Sequence, residues 1–335
     1  MANSAIMDAI VARAKAATQV VALPEAADPR TLQAARRAVD DQVAEIILVG
    51  NTDEISATAA STDISLAGME IVQPAEAPTL SENAALLYEL RKHKGISMEQ
   101  AEECAADPLY CAALLLQADR ANAIVAGAVY STPQVLRPLF QIVGTAPDIS
   151  LASSCFVMVT PQTHIGVNGA LIFADAGVVP DPTAAQLADI AISSADSART
   201  YLNAEPRVAM LSFSTMGSAE HPSVDKVIEA TRIAQEKRPD LIIEGELQGD
   251  TALVPEVAAA KCANSKLEGR ANVLIFPDLN SGNIAYKLVQ RLANADAYGP
   301  LLQGMAKVGM DLSRGATAED IYHVIALAVV RSTTI

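Results

Sequence analysis

At 335 residues the chain is long for one hydrophobic core, so two domains are expected. It is 51% apolar but only 4% aromatic, with no Trp, so its core must be built mainly from Ala, Val, Ile and Leu. A net charge of −15 argues against general nucleic-acid binding, which needs a basic face. No apolar run approaches the ~18 residues of a membrane span.

The first 24 residues read as an amphipathic helix entering a strand, without the basic start and cleavage site of a signal peptide. A soluble, cytoplasmic protein is expected. Apolar runs at 20–23, 46–49 and 69–72 read as strands, with a helix capped by Asp28 running to about 40. Helices follow over about 81–94, 97–105 and 108–121, then a buried strand at 123–127 and a helix from Ser131-Thr132-Pro133 to about 142. The pattern restarts near Ile149. Strands at 150–159 and 169–173 could form an antiparallel pair, and Asp181-Pro182-Thr183 opens a long helix to about 202. Strands at 208–213, 241–244 and 273–276, helices at 223–237 and 283–292, and a short strand at 300–302 complete this half. A loop carrying Ser313-Arg314-Gly315 then leads into an apolar C-terminal helix at Ala318. Alternating strands and helices imply parallel sheets with crossover connections, hence an α/β fold.

Ligands in such folds sit beyond the carboxyl ends of strands, near helix N-termini. Three strand ends carry polar chemistry here. The first is Gly127 to Pro133 with Arg137 behind it, where small residues admit a ligand and Ser131 and Thr132 can cap a helix or bind an anion. The others are Ser212 to Ser218 and Asp278 to Asn283, each also explicable as ordinary turn chemistry. The strongest basic cluster, Arg91-Lys92-His93-Lys94, suits both a helix C-terminus and an anion. Ser313, Arg314 and Asp320 gather a hydroxyl, a phosphate-matching guanidinium and a carboxylate within eight residues. Taken alone they read first as a loop and a capped helix.

Cys104, Cys111, Cys155 and Cys262 show no metal spacing, and the first two, seven apart, would share one helical face. The histidines are scattered, and neither a P-loop nor a convincing dinucleotide fingerprint appears. No metal site is expected.

The order of motifs is more specific than any one of them. LPEAADPRTLQAA from Leu23, LRKHKG from Leu90, AGAVYSTPQVLRPLFQIVGT from Ala126 and VVPDPTAAQLADIA from Val178 come first. EPRVAMLSFSTMGSA from Glu205, EATRIAQEKRPDLIIEGELQGD from Glu229, GRANVLIFPDLNSGNIAYKLVQRL from Gly269, and GPLLQGMAK with DLSRG complete the series. Together they cover nearly the whole chain, which resembles the short form of the phosphate acetyl/butyryltransferase family. That resemblance implies interconversion of acetyl-CoA and phosphate with acetyl phosphate and CoA, by direct thiolate attack in a ternary complex. No cofactor is implied, coenzyme A being a substrate. By the same resemblance Asp320 would deprotonate the thiol, Arg314 would bind the phosphoryl group, and Ser313 would help position the reacting centre. Arg91 and Arg137 would bind CoA and the anionic substrate. The implied fold is two α/β domains around a cleft, like the isocitrate/isopropylmalate dehydrogenases, usually dimeric. Residues 1–152 with 299–335 would form one domain and 153–298 the other. A carboxylate (ordinary pKa near ~4) is a weak base toward a thiol (~8.5), so the base must be desolvated or act as the proton departs. The chain departs from the family pattern at Val308-Gly309-Met310, expected to loosen the loop before Arg314, and at Tyr130 and Gly249. Two alternatives are a propionyl or butyryl phosphate transferase, and a metal- and NAD(P)-dependent decarboxylating dehydrogenase on the related fold.

Overall fold

The computed structural model describes residues 2–334. The chain divides into two compact units. One holds Ala9–Pro147 and the stretch from Met305 onward; the other holds Asp148–Gly304 and the residues before Ala9.

In the first unit, β1 (Val20–Leu23), β2 (Glu45–Val49), β3 (Met69–Val72) and β4 (Ala123–Ala126) are all parallel. Val21 lies opposite Ile46 on one side and Ala123 on the other. Val21, Ala22 and Leu23 are fully buried, which is why these strands read as unbroken apolar runs rather than alternating ones. Helix starts follow local capping chemistry. Asp28 accepts the Arg30 N–H ahead of Pro29–Asp40, and Ser97 and Gln100 form a reciprocal capping box at Met98–Ala105. A helix at Thr52–Thr62, absent from the sequence reading, was signalled by Asn51, whose side chain accepts from Asp53 and Glu54. Cys104 and Cys111 do not share a helix. Asp107 caps a new one at Pro108–Gln117, whose leading proline begins a helix more readily than it extends one. The helix at Thr132–Pro138 widens into a π turn over Leu139–Val143, directly after a proline that cannot donate to the ladder.

The second unit contributes β5 (Ser153–Val159), β6 (Ala170–Ala174), β7 (Arg207–Leu211), β8 (Ile242–Leu247), β9 (Val273–Ile275) and β10 (Asp296–Gln303). They form one sheet in the order β10-β5-β6-β9-β7-β8. The expected β5–β6 pair is antiparallel, as is β10–β5, while the remaining pairs are parallel. Strand β10 is longer than its apolar centre suggested, because the register shifts between Tyr298 and Leu301, around Gly299-Pro300. Phe156 stacks on Tyr286 at 4.2 Å between ring centres, within the apolar cluster of this unit.

The chain then returns to the first sheet. The stretch expected as a loosened loop is a strand, β11 (Val308–Asp311), fully buried and paired in parallel with β4. Gly309 permits this, since an added Cβ would lie 2.6 Å from Leu139 Cδ1. The sheet order is β11-β4-β1-β2-β3. The helix Ala318–Ser332 packs on β1, β4 and β11, burying Ile321, Val324, Ile325 and Leu327.

Candidate active site

Strand order in the first sheet runs outward from β1 in both directions, to β2 and β3 on one side and β4 and β11 on the other. The switch point of a parallel sheet opens a crevice beyond the carboxyl ends of its strands. Three segments leave the sheet at that end: Pro24 to Arg30 after β1, Gly127 to Thr132 after β4, and Leu312 to Thr317 after β11.

The loop after β4 was expected to offer its backbone to a ligand, but its amides are already occupied. The buried Glu25 carboxylate accepts four successive N–H groups: Gly127 at 3.0 Å and Ala128 at 2.8 Å on Oε2, Val129 and Tyr130 at 2.8 Å on Oε1. Two of these donors are buried and two half-covered, so one carboxylate closes the strand end. Gly127 has φ +113°, and a Cβ there would lie 2.5 Å from Asp311 Oδ1 and from the Leu312 nitrogen, so only glycine fits.

Ser131 and Thr132 are likewise engaged. Both the N–H and the hydroxyl of Ser131 donate to Gln134 Oε1, at 2.9 and 2.7 Å. Thr132 Oγ1 donates to Asp311 Oδ2 at 2.6 Å, joining the helix start to the end of β11. Asp311 is wholly buried, and among the described residues its other oxygen has no hydrogen-bond partner. Burial pushes its carboxyl up to about 6, the negative charge of Glu25 adding to that and the Thr132 hydrogen bond opposing it.

Beyond Asp311 the chain turns outward. Ser313, Arg314 and Gly315 are exposed, and the turn is closed by the Ala316 N–H donating to Ser313 O at 2.8 Å. Among the described residues the Arg314 guanidinium has no hydrogen-bond or ion-pair partner. Thr317 and Asp320 then form a reciprocal cap: Asp320 Oδ2 accepts the Thr317 N–H and hydroxyl, both at 2.8 Å, while the Asp320 N–H donates to Thr317 Oγ1 at 3.2 Å. Asp320 is exposed, so its own surroundings do not supply the desolvation a thiol base requires. Its helix is anchored by Tyr322, whose hydroxyl donates to Asp41 Oδ2 at 2.8 Å and whose ring carries Arg37 at 3.9 Å. Arg37 also pairs with Glu319.

Arg91 ends the helix Thr79–Arg91, and Arg137 lies exposed on the short helix after Thr132. Both act on Tyr110, whose hydroxyl donates to Gln141 at 2.9 Å. Burial pushes that phenol up, with the charges of Cys104 and Asp107 adding to the rise and those of Arg137 and Arg91 opposing it. All the sequence-nominated groups, Arg91, Ser131, Thr132, Arg137, Ser313, Arg314 and Asp320, belong to the first unit. The sequence reading missed Glu25, Arg30 and Asp311, and read Asp28 only as a helix cap. Glu25, Asp28 and Arg30 sit just after β1, at the switch point, where charged residues following a buried strand were the available signal.

The strand ends in the second unit are closed the same way. Buried Glu246 accepts Ser214 Oγ at 2.8 Å and the Gly217 N–H at 2.7 Å. Buried Asp175 accepts the N–H groups of Gly177, Val178 and Val179 and the Ser154 hydroxyl. Asp278, the third nominated end, caps its own helix through Ser281.

A two-unit α/β frame with an exposed arginine on the loop after β11 places the chain among α/β proteins with a strand-end crevice, and comparison with known proteins names the family. Residues 5–329 match the phosphate acetyl/butaryl transferase family. A phosphate acetyltransferase from Thermoanaerobacterium thermosaccharolyticum is 49% identical over 327 residues, 98% of this chain and 99% of that one. A phosphotransacetylase crystal structure from Streptococcus pyogenes superposes with a TM-score of 0.94 at 37% identity, covering 100% of both chains. A 4-hydroxythreonine-4-phosphate dehydrogenase from Burkholderia phymatum shares the fold alone, at 11% identity and a TM-score of 0.53 over 92% of this chain and 98% of that one. The chain belongs to the phosphate acetyl/butaryl transferase family and is a transferase enzyme.

Proposed function

We propose that the enzyme interconverts acetyl-CoA and phosphate with acetyl phosphate and CoA, by direct attack of the CoA thiolate on the acetyl carbonyl. The carrying observation is that the Ser313–Asp320 segment is fixed at its backbone while its guanidinium and carboxylate stay exposed. Arg314 can then take two oxygens of the phosphoryl group, as a planar fork requires. The Oδ1 of Asp320 is free of the capping bonds held by Oδ2, and a bound CoA would cover and desolvate it, which raises its basicity. Ser313, exposed in the same turn as Arg314, would orient the thiol. Arg91, at the end of Thr79–Arg91, and the exposed Arg137 would provide positive charge for the CoA phosphates.

The C–S bond forms as the C–O bond to phosphate breaks, the thiol proton passes to Asp320, and phosphate leaves with its electron pair. Holding both substrates in line can contribute on the order of ~7 kcal/mol, so neither a metal nor a covalent nucleophile is required. The test is acetyl exchange between acetyl phosphate and CoA, with and without chelator. Absence of exchange, or its abolition by chelator, refutes this reading. We also place the enzyme in the cytoplasm and propose that two copies associate. The exposed Ile284, Leu288 and Leu292 on Leu279–Leu292 offer an apolar stripe for association, and sedimentation at monomer mass would count against it.

A further inference from the structure

Arg30 occupies an unusual place among the arginines of the first unit. A guanidinium has five N–H donors, and its planar fork fixes their directions. Arg30 makes five hydrogen bonds, all within the protein. Nε donates to Asp28 Oδ1 at 3.0 Å and Nη2 to Asp28 Oδ2 at 2.9 Å, a bidentate pair. Nη2 also reaches Ala128 O at 2.8 Å, while Nη1 donates to Arg314 O at 3.0 Å and Ala316 O at 2.8 Å. One side chain therefore joins three segments, reaching 98 residues away to the loop after β4 and 284 and 286 residues away to the loop after β11.

We propose that Arg30 is a positioning residue for the transfer reaction: saturated by protein acceptors, it touches no substrate but fixes the peptide that aims the Arg314 guanidinium. This rests on the assignment of Ser313–Asp320 as the working segment. The two carbonyls it grips flank Gly315, the most permissive residue of the loop. Without the clamp, the hydrogen bonds left to that turn are Ala316 N–H to Ser313 O and a long one, 3.3 Å, from the Gly315 N–H to Ser313 Oγ. The third anchor, Ala128 O, belongs to the same loop whose amides Glu25 holds, so the SRG turn is tied to a strand end braced by four hydrogen bonds. Asp28 keeps the fork in register. Burial alone would raise its carboxyl, but the hydrogen bonds and charge of Arg30 bring it below its ordinary value.

A misplacement of about 1 Å can cost on the order of 10²-fold in rate. Lysine supplies three donors from a single point and cannot serve Asp28, Ala128 and both loop carbonyls together. Arg30→Lys is therefore expected to lower kcat for acetyl transfer by about 10- to 100-fold, with KM for CoA changed less than about threefold. Its Gly315 and Ala316 amides should exchange with solvent deuterium faster than in wild type, while protection of β1 and β4 stays the same. If Arg30→Lys does not fold, Asp28→Asn, which keeps the cap but weakens the fork's partner, carries the same test with a smaller fall in kcat. Wild-type kcat with unchanged loop exchange overturns the proposal, as does a loss confined to KM. Because exchange is read without substrate, a wild-type enzyme inactive in acetyl transfer would refute the function while leaving the clamp measurable.

Discussion

Replacing Glu25 by Gln keeps the size of the side chain but alters what it can accept. Each Glu25 oxygen takes two N–H groups, Gly127 and Ala128 on one, Val129 and Tyr130 on the other. In glutamine one oxygen becomes an amino group, which meets two backbone donors with two donors of its own. Two hydrogen bonds to a charged acceptor are thus lost, at ~1.5–3 kcal/mol each, and the remaining pair weakens with loss of the charge. A local destabilisation of about 3–6 kcal/mol is expected. Peptide-resolved hydrogen exchange is the suitable assay, because a two-unit chain need not unfold in one step. Amides 127–130 should lose protection by two or more orders of magnitude, while β5 to β9 in the other unit stay as protected as before. The same variant removes a negative charge that helps raise the Asp311 carboxyl, so the Asp311 titration should move down. Unchanged exchange at 127–130 in a folded Glu25→Gln protein would refute the reading of Glu25 as the group that closes this strand end.

Asp320→Asn retains an oxygen for the Thr317 cap and should melt near wild type, yet lose about 10²–10⁴-fold in turnover if Asp320 takes the thiol proton. Steady-state kinetics showing near-normal kcat would remove it from that role. Arg314→Lys should fall at least ~10²-fold in kcat/KM for acetyl phosphate, because a point charge cannot reproduce a bidentate phosphate contact. Wild-type kcat/KM would exclude the role. Asp311 has its folded-state carboxyl pushed up to about 6 from an ordinary 3.8, so it favours the protonated fold. Its ionisation removes stability as pH rises from about 4 to 6, roughly 3 kcal/mol in all at ~1.4 kcal/mol per unit. Asp311→Asn should therefore gain on wild type between pH 4 and 7 in parallel melts, and a pH-independent gap would contradict this. No acetyl group should be trapped on cysteine during turnover. Burial pushes the Cys111 thiol up to about 12 and raises Cys104 and Cys262, and Cys155 is fully buried. Mass spectrometry of quenched turnover mixtures would reveal an acetyl-cysteine if one forms.

What the sequence determined by itself was whatever depends on near neighbours. Helix starts at Asp28, Ser97, Thr183 and Thr317 were legible because a cap is made within three residues, and buried parallel strands were legible as apolar runs. The order of motifs carried the family, and with it the nomination of Ser313, Arg314 and Asp320. Strand β11 was hidden because four residues containing a glycine carry no periodic signal; β4 supplies its hydrogen bonds and Leu139 fills the space beside Gly309. The break between Cys104 and Cys111 was legible in Asp107-Pro108, which separates the helices read at 97–105 and 108–121, so the shared helical face inferred from the seven-residue spacing does not exist. Only the tertiary structure could show that the amides after β4 belong to Glu25, 102 to 105 residues earlier, and that Arg30 grips carbonyls 284 and 286 residues later. A buried donor must find an acceptor, but sequence does not say which one. That choice is made by strand order, which brings the carboxyl ends of β1, β4 and β11 side by side.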